Sequence, residues 1–215
     1  MPEVLTSLAE SVPGRLYLLA CGPERNRQCG RPEFGALLRG AVIAELNLRG
    51  LLVADETNRG RVRAAGNRRT GDPVLDEVLR QVEESRPRGW AGWLRRGQRR
   101  VTRKVRDRLA ELEVIRVEQG LLRRRVFLAD PAAVAALRDS VRTIALGDEP
   151  VSRVAVPDAV LVTLLATGQL ALSRREIRQH KARLAELAER GGELVPALRQ
   201  AVKRARSARM AAYGS

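Results

Sequence analysis

The stretch Arg99-Arg100-Val101-Thr102-Arg103-Lys104-Val105-Arg106-Asp107-Arg108-Leu109-Ala110 sorts its residues by helical geometry. At about 100° per residue, every fourth residue from Val101 to Leu109 falls on one apolar side of a helix, and Arg99, Arg103 and Arg106 cluster on the opposite side. A helix anchored by its apolar side would present three guanidinium groups together. Because a guanidinium is planar, permanently charged and able to bind two phosphate oxygens, the pattern predicts a receptor for a phosphorylated partner. The alternative is a solvated basic face without a ligand.

The bulk composition agrees with an anionic partner. The chain of 215 residues has a formal net charge of +15, and 44% of its residues are apolar, which is ordinary for a soluble globular protein. Arginine supplies almost all of the positive charge, because lysine occurs only at Lys104, Lys181 and Lys203. Such a charge favours phosphate-rich partners, either nucleic acid or an anionic membrane surface, without choosing between them.

The residues that usually carry catalysis or metals are scarce. Cys21 and Cys29 form neither a CxxC pair nor a four-ligand set, and His180 is the only histidine. We therefore expect no metal, no cofactor and no enzymatic activity. The carboxylates Asp72, Asp76 and Glu77 are the alternative, as part of a hydrolase or transferase, but helix capping and ordinary helix-surface charge explain them more simply.

Targeting signals are not visible in the sequence. The start Met1-Pro2-Glu3 lacks the basic and apolar regions of a signal peptide. The longest apolar stretch, residues 155–166, is interrupted by Pro157 and Asp158 and is shorter than the ~20 residues that span a bilayer. We expect a soluble cytoplasmic protein whose membrane contact is peripheral.

Periodicity predicts a mainly α chain, with short β-hairpins attached to a single helical domain over residues 1–200 and a basic tail over 201–215. Hairpins are predicted at residues 51–64 and 121–129, and the arginine helix at 98–119. The second hairpin has a basic tip, formed by Arg123, Arg124 and Arg125. A helix followed by a basic hairpin is also the outline of a winged helix, so a helical nucleic-acid-binding protein is the alternative function.

Arg108 departs from the pattern of its basic neighbours. The helical projection places it about 20° from Val101, on the apolar side. A charge there costs several kcal/mol unless it is paired, so we predict an acidic partner, with Glu45 as the leading candidate.

The order of the motifs resembles the Golgi phosphoprotein 3 family, and in particular its bacterial-type members. Most specific is Val105-Arg106-Asp107-Arg108-Leu109-Ala110 followed by Gly120-Leu121-Leu122. Other matching segments are Leu37-Leu38-Arg39-Gly40 and Thr70-Gly71-Asp72. The resemblance extends over about residues 5–189.

The resemblance implies a phosphoinositide-binding protein, because eukaryotic members bind phosphatidylinositol 4-phosphate. It implies a headgroup pocket lined by arginines at Arg39, Arg103 and Arg106, and Arg99 is an auxiliary candidate from the same side of the helix. Two departures stand out: Gly30 occupies the position of a pocket tryptophan, and the hairpin tip is basic instead of apolar. Adhesion to the headgroup surface through Arg123, Arg124 and Arg125 is therefore expected in place of acyl-chain insertion.

We thus expect a peripheral protein on the cytosolic face of a membrane, with an anionic phospholipid as its principal partner. The resemblance also implies an adaptor that binds the cytosolic tails of membrane enzymes. A homo-oligomer is compatible with the sequence, and nucleic acid ranks second as a partner.

Overall fold

A computed structural model describes residues 7–21, 32–55, 61–119, 124–192 and 194–213. Its central element is helix α2, Pro32–Leu48, which is buried on all sides over residues 33–46 and packs against helices from both halves of the chain. A helix of this kind belongs in a protein core. The residues that it buries include Leu38, Val42 and Leu46.

The other elements surround α2. The helices are α1 Val12–Ala20, α3 Pro73–Glu83, α4 Trp90–Leu94, α5 Gln98–Glu111, α6 Pro131–Leu146, α7 Val156–Gly168, α8 Arg174–Gln179, α9 Lys181–Arg190 and α10 Leu194–Tyr213, with a 3-10 turn at Val151–Arg153. The strands form two separate antiparallel hairpins, β1 Leu52–Asp55 with β2 Arg61–Ala64, and β3 Ile115–Gln119 with β4 Arg124–Leu128. The prediction of a mainly α fold with short hairpins is confirmed.

The division at residue 200 stays a prediction. Helix α10 begins at Leu194 and continues through that position to Tyr213.

Helix α3 begins as its sequence indicates. The Asp72 carboxylate accepts hydrogen bonds from the amides of Val74 and Leu75, at 2.9 and 3.2 Å, and Pro73 occupies the first helical position. These contacts satisfy amides that have no partner inside the helix.

The arginine helix is shorter than predicted. Its apolar side, Val101, Val105 and Leu109, is buried as expected, but α5 ends at Glu111 and not near residue 119. Glu113 has a positive φ of 56°, which turns the chain out of the helix. The following Ile115–Gln119 segment alternates apolar and polar residues with a period of two, which is the signature of a strand that the helical interpretation overrode.

The second hairpin is consequently displaced towards the N-terminus. Strand β3 pairs with β4 so that Gln119 lies opposite Arg124 and Glu118 opposite Arg125. The assignment of Arg124 and Arg125 to the hairpin tip was therefore wrong, because both belong to a strand. Arg123 lies outside the described residues.

Arg108 has acidic partners, but not the expected one. Its Nε is 3.3 Å from Asp72 Oδ2, and its Nη1 is 3.1 Å from Glu111 Oε2. Glu45 instead accepts a hydrogen bond from the Val12 amide at 2.9 Å and pairs with Arg49. The prediction of an acidic partner for Arg108 is confirmed, and its assignment to Glu45 was wrong.

A charged contact joins α6 to the start of α8. Arg142 pairs with Glu176, whose carboxylate also accepts from the Ser173 amide at 2.7 Å. The Arg142 hydrogen bond, with those from Ser173, lowers the pKa of Glu176 to about 2. The folded protein therefore holds this carboxylate in its charged form more strongly than the unfolded chain does.

Replacing Arg142 with Gln should reduce stability at neutral pH and lose its effect in acid. The lowered pKa means that the stabilisation is complete above the ordinary pKa of a glutamate and is lost as the pH falls towards 2. Urea unfolding of both proteins at pH 7 and pH 3 should show a smaller difference at pH 3. A difference that is constant with pH would contradict this.

Candidate anion-binding site

Helix α5 presents part of its predicted basic side to solvent. Arg99 and Arg103 are exposed, and neither has a hydrogen-bonding or ionic partner among the residues that the structure describes. Arg106 is less open, with 17% of its side chain exposed, and its Nε donates to Asp107 Oδ1 at 2.9 Å. The two exposed arginines are therefore available to an anion, and Arg106 is already oriented by a neighbouring carboxylate.

Arg106 also lies close to α1. Burial raises the pKa of the Tyr17 hydroxyl, whereas the nearby charge of Arg106 lowers it. Tyr17 in turn packs edge-to-face against Phe34 of α2, with ring centroids 5.9 Å apart. The α1–α2 contact near Arg106 is therefore aromatic and buried.

Arg39 is fully buried in α2, although it carries a guanidinium. Its Nε donates to the carbonyl of Trp93 at 3.2 Å. Its Nη1 and Nη2 are buried without a hydrogen-bonding partner in the described part of the chain. Buried donors of a charged group are almost always paired, so these two nitrogens call for an acceptor.

The pKa of Arg39 agrees with this shortage of acceptors. Burial, and secondly the charge of Arg96, lower its pKa to about 10, while Glu77 acts in the opposite direction. An anion placed beside the guanidinium would supply both the missing negative charge and the missing hydrogen-bond acceptors.

The backbone of α4 positions Arg39. The Trp93 carbonyl accepts from both Arg39 Nε and the Arg96 amide, the latter at 3.4 Å. Gly35, one turn before Arg39, allows α5 to approach, since a Cβ there would lie 3.2 Å from Gln98 Cβ. Arg39 therefore lies beside the first half of α5, with Arg96 and Glu77 as its charged neighbours.

The structure thus places the three predicted headgroup residues on two packed helices, with Arg39 on α2 and Arg103 and Arg106 on α5. Arg39 differs in environment from the other two, because it is enclosed and they are wholly or partly open.

Sequence reasoning missed Arg96 and Glu77 as members of this region. Glu77 of α3 pairs with Arg100 and Lys104, which lie one helical turn apart on α5. The signal was the i, i+4 spacing of Arg100 and Lys104 on a side of α5 separate from Arg99 and Arg103. No role was predicted for that side, and its acidic partner comes from another helix.

The second hairpin has two described cations with exposed side chains, Arg116 and Arg125. Arg125 is exposed on β4, while Arg116 on β3 stacks over the Phe127 ring at 5.4 Å from its centroid. Arg123, the Arg124 side chain and Gly30 fall outside what the structure describes. Their predicted contributions to membrane contact and to the pocket stay predictions.

The carboxylates considered for catalysis have structural partners. Asp72 caps α3 and contacts Arg108, as described above. Asp76 Oδ1 accepts from the Thr70 amide at 2.7 Å and from the Thr70 hydroxyl at 2.8 Å. They hold the turn before α3 in place.

Across the described ranges, no helix combines the length and apolar character needed to cross a membrane.

Comparison with known proteins gives one family. The family model described as Golgi phosphoprotein 3 (GPP34) matches residues 12–205, which include every helix from α1 to α9 and most of α10. No curated protein matches the chain. A family model that covers nearly the whole folded chain identifies its membership, and this protein belongs to the Golgi phosphoprotein 3 family.

Proposed function

We propose that this protein is a non-enzymatic, peripheral membrane protein that binds a phosphorylated lipid headgroup through Arg39, Arg103 and Arg106. The ligand class is a phosphoinositide-type lipid similar to phosphatidylinositol 4-phosphate, and the site of action is the cytosolic face of a membrane. Family membership supports this class of ligand.

The observation that carries the proposal is the buried guanidinium of Arg39, two of whose nitrogens have no partner among the described residues. A chain without a ligand gains nothing from enclosing two unsatisfied charged donors, because their desolvation is unfavourable. A phosphate group would accept from both nitrogens in the geometry that a guanidinium favours. The enclosed position would also make the interaction directional and less sensitive to salt than a surface contact.

The two arginines of α5 have complementary parts in this proposal. Arg103 is exposed and unpaired, so it can bind a phosphate oxygen without breaking an existing contact. Arg106 is held by Asp107 and restrained in its orientation, which lowers the entropic cost of placing it against the headgroup. Arg99, also exposed, is the auxiliary cation.

The surrounding surface supplies a weaker contact. Arg125, with Arg123 and Arg124, would lie against the anionic headgroups of the bilayer, where each cation contributes on the order of 1 kcal/mol. An adaptor role, in which the membrane-bound protein also binds cytosolic tails of membrane enzymes, belongs to the same proposal. Binding of nucleic acid by the hairpins is the competing outcome of the test below.

Replacing Arg39, Arg103 and Arg106 together with Gln should abolish the preference for a phosphoinositide. In flotation assays at ~150 mM salt, we expect the unaltered protein to prefer phosphatidylinositol 4-phosphate vesicles over phosphatidylserine vesicles of equal surface charge by at least about tenfold. The triple variant should bind both vesicles equally, because only the diffuse attraction remains.

A matched control replaces Arg153, Arg175 and Arg178 with Gln. These arginines are exposed and removed in sequence from the site, and the change in net charge is the same. The control should weaken binding to both vesicles and keep the preference. Equal behaviour of the two triple variants, or duplex DNA binding by a protein that ignores vesicles, would refute the proposed function.

A further inference from the structure

Glu77 of α3 contacts two basic residues of α5. Only 10% of its side chain is exposed, and its Oε1 lies 2.7 Å from Arg100 Nε while its Oε2 contacts Lys104 Nζ. Gln81, one turn further along α3, donates from Nε2 to Glu77 Oε1 at 3.2 Å. The carboxylate is therefore fixed between two helices and shared by two cations.

The two cations that Glu77 holds are only partly enclosed. Arg100 keeps 56% of its side chain exposed, and Lys104 keeps 37%. On the helical projection Arg100 is about 60° from Arg103, so it borders the unpaired arginines. Without Glu77, the free basic side of α5 would widen by two adjacent charges.

Other acidic residues of α3 do not have this arrangement. Asp76 is engaged by Thr70, and Glu83 pairs with Arg69. Glu84, just beyond the end of the helix, forms an exposed pair with Arg80 as its one ionic partner among the described residues. Glu77 is also the carboxylate whose charge acts on the buried Arg39. Its charge therefore acts on the enclosed arginine as well as on the outer cations of α5.

We propose that Glu77 is a specificity-determining residue, an internal counter-anion that withholds Arg100 and Lys104 from bound lipids. An approaching headgroup then meets the exposed arginines Arg99 and Arg103, which have no partner among the described residues, with Arg106 oriented beside them. This inference rests on the proposed function for the identity of the headgroup. The neutralisation of two cations itself does not depend on it.

The consequence is that removal of the Glu77 charge should increase binding while reducing selectivity. Glu77→Gln keeps the side-chain size and an oxygen that Lys104 or Gln81 can still contact. It releases two cations to any anionic surface, which corresponds to roughly a tenfold gain in binding to phosphatidylserine vesicles at low salt. The preference for phosphatidylinositol 4-phosphate should fall, because vesicles can then bind at Arg100 and Lys104 instead of at the pocket, and this second mode of binding does not distinguish headgroups.

The matched control is Glu84→Gln, which makes the same change in net charge but frees only Arg80. Flotation with phosphatidylserine vesicles between ~50 and ~300 mM salt should show a steeper salt dependence for Glu77→Gln than for Glu84→Gln. Adding Arg100→Gln and Lys104→Gln to Glu77→Gln should return binding and selectivity to those of the unaltered protein. Glu77→Asp, whose shorter side chain cannot reach both cations, should give an intermediate gain in binding to phosphatidylserine vesicles. It replaces Glu77→Gln in the test if that variant does not fold.

The outcomes separate the two proposals. Equal binding of phosphatidylserine vesicles by Glu77→Gln and Glu84→Gln would overturn the role of Glu77. An unaltered protein that shows no preference for phosphatidylinositol 4-phosphate would overturn the proposed function. In that case, a steeper salt dependence of Glu77→Gln would still support the neutralisation of Arg100 and Lys104, but the assignment of Glu77 to headgroup specificity would be rejected.

Discussion

Arg39→Met should abolish selective headgroup binding and at the same time increase the free energy of unfolding. The side chain is fully buried, two of its nitrogens have no partner in the described structure, and its pKa is lowered by that burial. A charged group whose folded pKa is lowered opposes folding at every pH below that value, which includes neutral pH. An apolar side chain of similar length removes this cost, and we expect a gain of roughly 1–3 kcal/mol.

The measurement pairs urea unfolding with vesicle flotation. Arg103→Gln is the control, because Arg103 is exposed, so it should weaken selective binding without a change in stability. Phosphatidylinositol 4-phosphate vesicles should protect the unaltered protein from thermal unfolding and leave Arg39→Met unprotected.

A loss of stability in Arg39→Met would contradict the proposal. It would mean that the hydrogen bond from Nε to the Trp93 carbonyl outweighs the burial of the charge. Arg39 would then be a structural cap of α4 and not a ligand-binding residue.

A stability gain that accompanies loss of function is characteristic of a binding site. Residues that meet a ligand are selected for the bound state, and in its absence they are often strained or unpaired. A cap or a core contact has no such conflict, so its removal lowers stability and function together.

Much of the fold followed from local patterns in the sequence. The Asp72-Pro73 pair marked the start of α3 because capping depends on neighbouring residues only. The burial of Val101, Val105 and Leu109 followed from helical periodicity. The C-terminal end of α5 did not follow from the sequence. The residues after Glu111 fit both the helical and the strand period of apolar residues in part, and pairing with β4 decides between helix and strand.

The partner of Arg108 shows the limit of a helical projection. The projection indicated which side of α5 the side chain leaves from and that a carboxylate was required. It gave no information about which helix lies opposite. Asp72, for which the sequence favoured helix capping, caps α3 and also pairs with Arg108, because the start of α3 lies beside α5.

The candidate site was also predictable only in part, because some of its residues follow from local patterns and others depend on how the helices pack. The exposed arginines of α5 follow from periodicity, whereas Arg39 was identified from the family resemblance. Its position within the apolar run from Leu37 to Val42 was a signal of its own, since a charge flanked by apolar residues in a helix needs a partner. The contacts of Arg39 with α4, and of Glu77 with α5, depend on helix packing that one sequence does not encode locally.

Trp93→Ala should be the most destabilising substitution near the site, and it should also impair headgroup selectivity. The Trp93 side chain is fully buried between α2 and α10, where α4 packs. Removing a buried tryptophan ring leaves a large cavity, for which we expect a loss of about 3–5 kcal/mol in the free energy of unfolding. Because the carbonyl of residue 93 holds Arg39 Nε, any shift of α4 into the cavity also displaces the guanidinium.

Trp90→Ala is the matched control on the same short helix. Trp90 is only partly buried, so its removal should cost less than half as much and leave selectivity unchanged. Trp93→Phe should retain most of the stability, since the indole nitrogen of Trp93 has no hydrogen-bonding partner among the described residues and its loss leaves no acceptor unsatisfied. Urea unfolding of the three variants measures the ranking. If Trp90→Ala costs as much as Trp93→Ala, α4 is not anchored through Trp93, and the position of Arg39 cannot depend on that anchor.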